Sequence, residues 1–260
     1  MVVDPGDAAP VIEFLNEHQL TLSAVLITHH HPDHTGGIKT LSDTFPDLSV
    51  FGPHNPKIRG ITDSLQHQER CFINDLSLQF TVMAAPGHTL DHIMYYTEGL
   101  LFCGDTLFSA GCGRLFEGTP EQMTATLNSI TALPADTMIY CTHEYTLANI
   151  EFALAVEPQN PSLLEYKDWV THQRNNDKPS LPTSLQTQLH ITPFFPLHPP
   201  PFPLSPPPLP LPPLPPSFPL FPAFLSPTPI FSPPPLASCL IPSDHPTSPL
   251  HSPFPLSSPL

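Results

Sequence analysis

Short apolar runs recur along the first 195 residues, and polar segments separate them. Such runs are typical of buried strands, whereas apolar residues spaced three or four apart are typical of helices that pack one face on a core. The runs predict strands over residues 2–3, 24–27, 48–51, 76–83, 92–97, 100–103 and 138–141. Helical spacing and helix-start signals predict helices over residues 9–18, 35–45, 119–132, 147–156 and 162–174. This mixture predicts an α+β fold.

The clearest helix start lies at Thr119. Thr119 can cap the helix, Pro120 suits its first turn, and Gln122 stands three residues after the cap. The helix should end before Pro134, because proline cannot continue it.

The composition changes abruptly near residue 195. Of the 40 prolines, 27 lie from Pro193 onward, and Asp244 is the only charged residue after Phe195. Proline lacks a backbone donor and fixes φ, so we expect this segment to be disordered or locally polyproline II. We therefore divide the chain into a main domain (1–145), a small helical domain (146–195) and a disordered tail (196–260).

The formal net charge is −15, with only 8 Lys and Arg residues. So acidic a chain is a poor partner for the phosphates of nucleic acids. No signal peptide and no apolar run of membrane-spanning length is visible. We therefore expect a cytoplasmic monomer that binds neither nucleic acid nor membrane.

The densest cluster of reactive side chains is the segment Thr28-His29-His30-His31-Pro32-Asp33-His34, which follows a predicted buried strand. His29 and His31 alternate along an extended stretch, so their side chains can point the same way. Asp33 and His34 lie where the chain turns towards the next helix. Ligands at the end of a core strand are rigidly held, so this segment predicts a metal site. One cluster could serve two ions.

Two histidines do not complete a catalytic metal site, so further ligands must come from elsewhere. Three candidates each follow an apolar run: His88, Asp105 and His143. Imidazole and carboxylate ligands suit zinc, and also iron or manganese. In the predicted assembly the first ion is bound by His29, His31 and His88, the second by Asp33, His34 and His143, and both by Asp105.

Each of these residues also has a simpler interpretation. A histidine-rich stretch can be a surface loop, and a single histidine after a strand is usually just a polar residue. Seven such residues in this order, at strand ends, favour a metal centre. We expect four other histidines to be structural or on the surface: His30, His54, His67 and His92. Of these, His92 can also lie against the ligands.

The full set of motifs resembles the metallo-β-lactamase superfamily, and within it glyoxalase II, the hydroxyacylglutathione hydrolases. The resemblance runs from Met1 to about Phe195 and rests on the motifs VDPGD, THHHPDHTGG, PGHT, GDTLF, GCGRLFEG and THEYT. The histidine–aspartate motif alone indicates only the superfamily. The GCGRLFEG and THEYT stretches are more specific to glyoxalase II.

The resemblance implies a four-layered αββα sandwich with the metals at one edge, followed by a small helical domain. It implies hydrolysis of S-D-lactoylglutathione to glutathione and D-lactate, in methylglyoxal detoxification. The family's metal ligands fall on all seven residues above, and its glutathione contacts fall on Arg114, Phe116 and Tyr145. Two divalent ions, with zinc preferred, would share a water and supply hydroxide at neutral pH. Asp105 and Asp33 are therefore the candidate catalytic residues, and no Ser or Cys nucleophile is needed.

Both ends depart from the family pattern. In the family a first hairpin precedes the position of Val2, and a basic pair that clamps glutathione follows the stretch ending near Phe195. Here no Arg or Lys occurs after Lys178. We therefore expect weakened binding of glutathione thioesters. The alternatives are another hydrolase of this fold, a persulfide dioxygenase with one iron, or an inactive fragment whose tail binds SH3- or WW-type domains.

Overall fold

The computed structural model describes residues 1–195 and the backbone of residues 221–222. The predicted disordered tail, residues 196–260, otherwise lies outside the described residues.

Strands dominate the first 145 residues, with helices among them, and helices dominate the described residues after 145. The strands are β1 (Val2–Val3), β2 (Ala24–Leu26), β3 (Ser49–Pro53), β4 (Asp63–Leu65), β5 (Arg70–Ile73), β6 (Leu78–Ala84), β7 (Ile93–Thr97), β8 (Leu100–Gly104), β9 (Leu107–Phe108), β10 (Gly111–Cys112), β11 (Met138–Cys141), β12 (Thr183–Ser184) and β13 (Phe221–Pro222). The helices are α1 (Ala9–Glu17), α2 (Pro32–Thr35), α3 (Ile38–Thr44), α4 (Pro120–Thr131), α5 (Thr146–Val156), α6 (Pro161–Asn175) and α7 (Leu185–Ile191).

Two sheets form the centre of the molecule, the first parallel and the second mixed. The first has the order β13-β1-β2-β3-β4, with every pair parallel. The second has the order β12-β11-β8-β7-β6-β5, in which β8 and β11 are parallel and the other pairs are antiparallel. Since β7 is antiparallel to both β6 and β8, the strands β6, β8 and β11 all run in one direction. The residues that follow these three strands therefore meet at one edge.

The sheets pack face to face, and helices cover their outer faces. Leu26 of the first sheet shares a buried cluster with Phe80 and Phe102 of the second. On the outer face of the first sheet, α3 contributes the buried Leu41. On the outer face of the second, α4 contributes the buried Met123. This is the αββα sandwich that the resemblance implies.

Helices α5, α6 and α7 pack together beside the strands β10 and β12. Ile150 of α5 and Leu163 of α6 share a buried cluster with Ala110, which precedes β10. Gln188 of α7 is buried, and its Oε1 accepts the Ala110 N–H at 2.9 Å. The domain boundary at residue 145 stays a prediction. Among the described residues, no helix has the length and apolar character needed to cross a membrane.

The structure confirms the predicted start of α4. The Thr119 side chain accepts the Gln122 N–H, and the Gln122 side chain accepts the Thr119 N–H, which completes a capping box. The helix ends at Thr131, before Pro134 as expected.

Other predicted elements need correction. The helix expected over residues 35–45 is α3, which begins only at Ile38 because Gly36 and Gly37 separate it from the short α2. A side chain at either glycine would collide with the backbone of residues 5–8 or 32, which explains the glycine pair. The strand expected from residue 76 begins at Leu78, because a short 3-10 helix and the left-handed Ser77 precede it. The strands β4 and β5 and the helix α7 were not predicted.

Candidate metal centre

The histidine-rich segment forms the loop between β2 and α2 at the edge of the sandwich. Pro32 occupies the first turn of α2, and the preceding His31 is extended, with φ −64° and ψ 146°. This agrees with the steric preference of a residue before proline. Asp33 and His34 therefore lie in the first turn of the helix, whereas His29 and His31 lie in the extended loop before it.

Three imidazole nitrogens converge in a group that could bind a metal ion, which we call the first ligand set: His29, His31 and His88. His29 Nε2 lies 3.0 Å from His31 Nδ1, which in turn lies 3.0 Å from His88 Nε2. His88 Nδ1 is 2.7 Å from the Arg114 carbonyl oxygen. A carbonyl can only accept, so His88 carries its proton at Nδ1 and keeps the Nε2 lone pair for a metal.

The second ligand set combines a carboxylate with two imidazoles: Asp33, His34 and His143. Asp33 Oδ2 lies 3.4 Å from His143 Nε2 and 3.7 Å from His34 Nε2. The His34 side chain is fully buried, whereas the Asp33 side chain is 60% exposed. The second set is therefore more open to solvent than the first.

Asp105 lies between the two sets. Its Oδ2 is 3.5 Å from both His88 Nε2 and His143 Nε2, and its Oδ1 is 3.5 Å from His34 Nε2. One carboxylate thus faces nitrogens of both sets, which is where a bridging ligand must lie.

Burial keeps the first set neutral. Removal from water is the largest cause that lowers the pKa of His29, His31 and His88, and charged neighbouring histidines add to the effect. Neutral imidazoles present lone pairs, so this set is prepared to bind a cation.

Carboxylates favour positive charge in the second set. Burial alone would lower the pKa of His34, but Asp4 and Asp105 raise it well above its usual range. Burial likewise opposes the charge on His143, but Asp105 and Asp33 raise its pKa to about 9. The hydrogen bond with His143 in turn lowers the pKa of Asp33. This position favours a positive charge, which either protons or a metal ion can supply.

Besides His34 Nδ1, two buried atoms of the site lack hydrogen-bond partners within residues 1–195: His34 Nε2 and Asp105 Oδ1. Such atoms are rare in folded proteins because burying them without a partner is costly. Both are good ligands for divalent metals. The donor atoms within each three-residue set also lie within 4.8 Å of one another. The residues present therefore fit bound divalent metal ions.

Two of the predicted substrate-binding residues lie together beside the first set. Phe116 is 59% exposed, and its ring lies 5.3 Å from the His31 ring and 5.2 Å from the His88 ring, nearly perpendicular to both. The exposed Arg114 guanidinium lies 5.6 Å from the centre of the Phe116 ring.

The third predicted substrate-binding residue lies beside the second set. Tyr145 is 46% exposed, and its ring stacks on His143 with centroids 5.1 Å apart. Exposed aromatic side chains therefore flank the ligands on both sides.

Known proteins resemble this chain in sequence and in fold. The model of the metallo-beta-lactamase superfamily matches residues 1–143, and the model of the hydroxyacylglutathione hydrolase C-terminus matches residues 144–205. The hydroxyacylglutathione hydrolase of Pseudoalteromonas translucida is 51% identical over 193 residues, which is 74% of each chain. This chain belongs to the hydroxyacylglutathione hydrolase family. A second member, from Vibrio campbellii, is 50% identical over 193 residues, 74% of this chain and 76% of its own.

A solved structure supports the architecture assigned to this family member. The crystal structure of the BLEG-1 B3 metallo-beta-lactamase matches with a TM-score of 0.54 and 25% identity, over 74% of this chain and 86% of that one. Membership of the family confirms the relationship that the GCGRLFEG and THEYT motifs predicted.

Asp4 supports the second ligand set and was missed as a site residue. Its Oδ2 lies 3.0 Å from His34 Nδ1, and its carboxylate also accepts the Thr28 N–H and hydroxyl, each at 2.7 Å. Thr28 therefore holds the Asp4 carboxylate against the His34 ring. The sequence does contain a signal for Asp4 as a site residue, because Asp4 follows a short apolar run just as Asp105 does.

The four histidines that we expect to be structural or on the surface differ in their surroundings. His54 and His67 are exposed, as expected. His30 is half-buried and lies 2.8 Å from Asp91. His92 is buried against the ligands, and burial lowers its pKa to about 3.

Proposed function

We propose that this chain hydrolyses S-D-lactoylglutathione to glutathione and D-lactate with two divalent ions, which we infer to be zinc. The reaction would complete methylglyoxal detoxification. Relatives that carry the name hydroxyacylglutathione hydrolase, at about half identity, support the substrate class. The observation that carries the proposal is the position of Asp105, within 3.5 Å of nitrogens from both ligand sets.

The seven ligands divide between the two ions as the distances suggest. When bound, the ions would lower the pKa of a shared water towards neutrality and polarise the thioester carbonyl. Zinc suits a mixture of imidazole and carboxylate donors, and iron or manganese accepts the same donors. The first ion would be held by His29, His31 and His88, the second by Asp33, His34 and His143, and both by Asp105.

The two carboxylates have different roles in this proposal. Asp105 is buried and held from several sides, so it fixes the spacing of the two ligand sets. Asp33 is largely exposed, and its Oδ2 faces His143 Nε2 at 3.4 Å. In this proposal its exposed carboxylate would take up the proton that the attacking water loses.

The exposed side chains around the ligands would hold the glutathione part of the substrate. The Arg114 guanidinium is always charged and matches a carboxylate. The rings of Phe116 and Tyr145 offer apolar surface on either side, and the Tyr145 hydroxyl can donate a hydrogen bond. The leaving thiolate needs no acid, because the pKa of a thiol, about 8.5, is far below that of an alcohol.

Thiol release from S-D-lactoylglutathione tests this proposal. The zinc-loaded chain should turn over the thioester, Asp105→Ala should lose turnover, and Asp75→Asn should retain it, because Asp75 is an exposed acid outside the site. No release by the zinc-loaded chain, with two ions bound, would contradict the proposed substrate. Equal activity of Asp105→Ala would contradict the proposed role of the bridge.

A further inference from the structure

His92 lies directly behind the metal ligands and has little room to move. Its side chain is 1% exposed. Its ring stacks on the His29 ring, with centroids 4.8 Å apart and an angle of 18° between the planes. Its backbone is fixed as well, since its carbonyl accepts the Ala85 N–H at 2.8 Å.

The His92 ring accepts a hydrogen bond from the backbone of the bridging residue. The Asp105 N–H donates to His92 Nε2 at 3.1 Å. An accepting ring nitrogen carries no proton, so the neutral ring has its proton at Nδ1, which lies 3.4 Å from the Thr106 hydroxyl. The tautomer of His92 is therefore set by its two neighbours.

The turn that carries Asp105 depends on this contact. Asp105 is one residue beyond β8, where strand pairing ends, so His92 Nε2 supplies the acceptor that a neighbouring strand would otherwise provide. Gly104 adopts a φ of +50°, which glycine tolerates best. A Cβ at Gly104 would lie 2.8 Å from His92 Nε2 and 2.4 Å from the Thr28 hydroxyl oxygen. The turn is thus packed directly against His92.

We propose that His92 is a positioning residue whose Nε2 acceptor fixes the Asp105 carboxylate between the two ligand sets. This inference rests on the two-ion function proposed above. Without the acceptor, a buried N–H loses its partner and the turn can shift, which moves the carboxylate away from one set. The first set keeps three nitrogens even without Asp105. The second set keeps only two nitrogens and the largely exposed Asp33 carboxylate, so its ion should be lost first.

Three substitutions separate the acceptor from the packing of the ring. His92→Phe keeps a planar ring that can stack on His29 but has no acceptor. His92→Gln places an amide oxygen where Nε2 lies, whereas His92→Asn reaches only as far as Nδ1. The matched control is His67→Phe, because His67 also accepts a backbone N–H, that of Ala84 at 3.1 Å, but lies on the surface.

Co²⁺ titration of the metal-free variants, followed by visible absorption, tests the proposal without relying on turnover. We expect His92→Phe to bind the first equivalent normally and the second about 10- to 100-fold more weakly, the usual effect of losing a group that orients a ligand. His92→Gln should recover most of that affinity, whereas His92→Asn should not. His67→Phe should match the unmodified chain.

Two outcomes would overturn the proposal. One is a folded His92→Phe variant whose second Co²⁺ equivalent binds and absorbs as in the unmodified chain. If the Phe variant does not fold, equal second-ion affinity in His92→Gln and His92→Asn overturns it instead. Failure of the chain to hydrolyse S-D-lactoylglutathione would count against the proposed substrate only, since the Co²⁺ titration does not depend on it.

Discussion

The two ligand sets reach the same gap by different physical means. The first consists of three imidazoles that burial keeps neutral, with nitrogens 3.0 Å apart. The second contains a carboxylate that is 60% exposed and histidines whose pKa values nearby carboxylates raise. We infer that the first set holds its ion by preorganised lone pairs and the second by charge. The first ion should therefore bind more tightly, and the second should respond more strongly to pH.

Removal of one ligand from each set should have the largest effect and tests the ranking directly. Loss of a group that only supports a ligand weakens metal binding by up to about 100-fold. His88→Ala should weaken binding of the first ion by more than that, because one of three converging nitrogens is removed. His143→Ala should weaken only the second ion. Competition with a chelator of known zinc affinity measures both constants. The reverse ranking would show that charge, not preorganisation, determines the tighter site.

Asp4→Asn should have the next largest effect, confined to the second set. Asparagine can still accept a hydrogen bond from Thr28, but it loses the charge that faces His34 Nδ1 at 3.0 Å. We expect second-ion affinity to fall about 10- to 100-fold, with little change in the first. Zinc content after dialysis measures the loss, and Asp75→Asn is the exposed control. An equal loss of both ions would show that Asp4 does not act on the second set alone.

The metal-free protein should lose stability as pH rises, because His143 has a folded-state pKa of about 9 against an ordinary value of 6.5. A raised pKa stabilises the fold fully below pH 6.5, and this contribution disappears as pH rises through about 9. His34 acts in the same direction. The Tm of the metal-free chain should therefore fall across this window, less steeply in His143→Gln. An identical decline in His143→Gln would remove His143 from the explanation.

The smallest effect is expected at the surface beside the first set. Glu117 accepts the Leu90 N–H at 3.0 Å and lies 3.2 Å from Lys57 Nζ, which ties down the loop that carries Phe116. Glu117→Gln should raise KM by up to about fivefold, since an exposed ion pair contributes at most about 1 kcal/mol. Steady-state kinetics measure it, with the exposed Asp43→Asn as the control. A fall in kcat with unchanged KM would argue against a role in substrate binding.

The convergence of the candidate ligands could be predicted because each follows a local rule. His88, Asp105 and His143 all follow apolar runs, and the parallel direction of β6, β8 and β11 brings the ends of those runs to one edge. The αββα sandwich itself could be expected only from the resemblance to the metallo-β-lactamase superfamily. The same local rule points to Asp4, because Asp4 directly follows the apolar pair Val2-Val3.

The supporting contacts could not be predicted in the same way. His92 acts through the backbone of Asp105, 13 positions away, and Glu117 through Leu90, 27 positions away. No local pattern encodes such pairs, because they depend on how the loops pack. The strand β4 was missed because two of its three residues are exposed and polar, so it shows no apolar run.

Zinc titration of the metal-free chain, with thiol release from S-D-lactoylglutathione measured at each step, tests the central claim most directly. If the two ligand sets work together across Asp105, turnover should stay low up to one equivalent of zinc and rise to its maximum at two. Full turnover at one equivalent, with no further gain at two, would contradict a function that requires both sets.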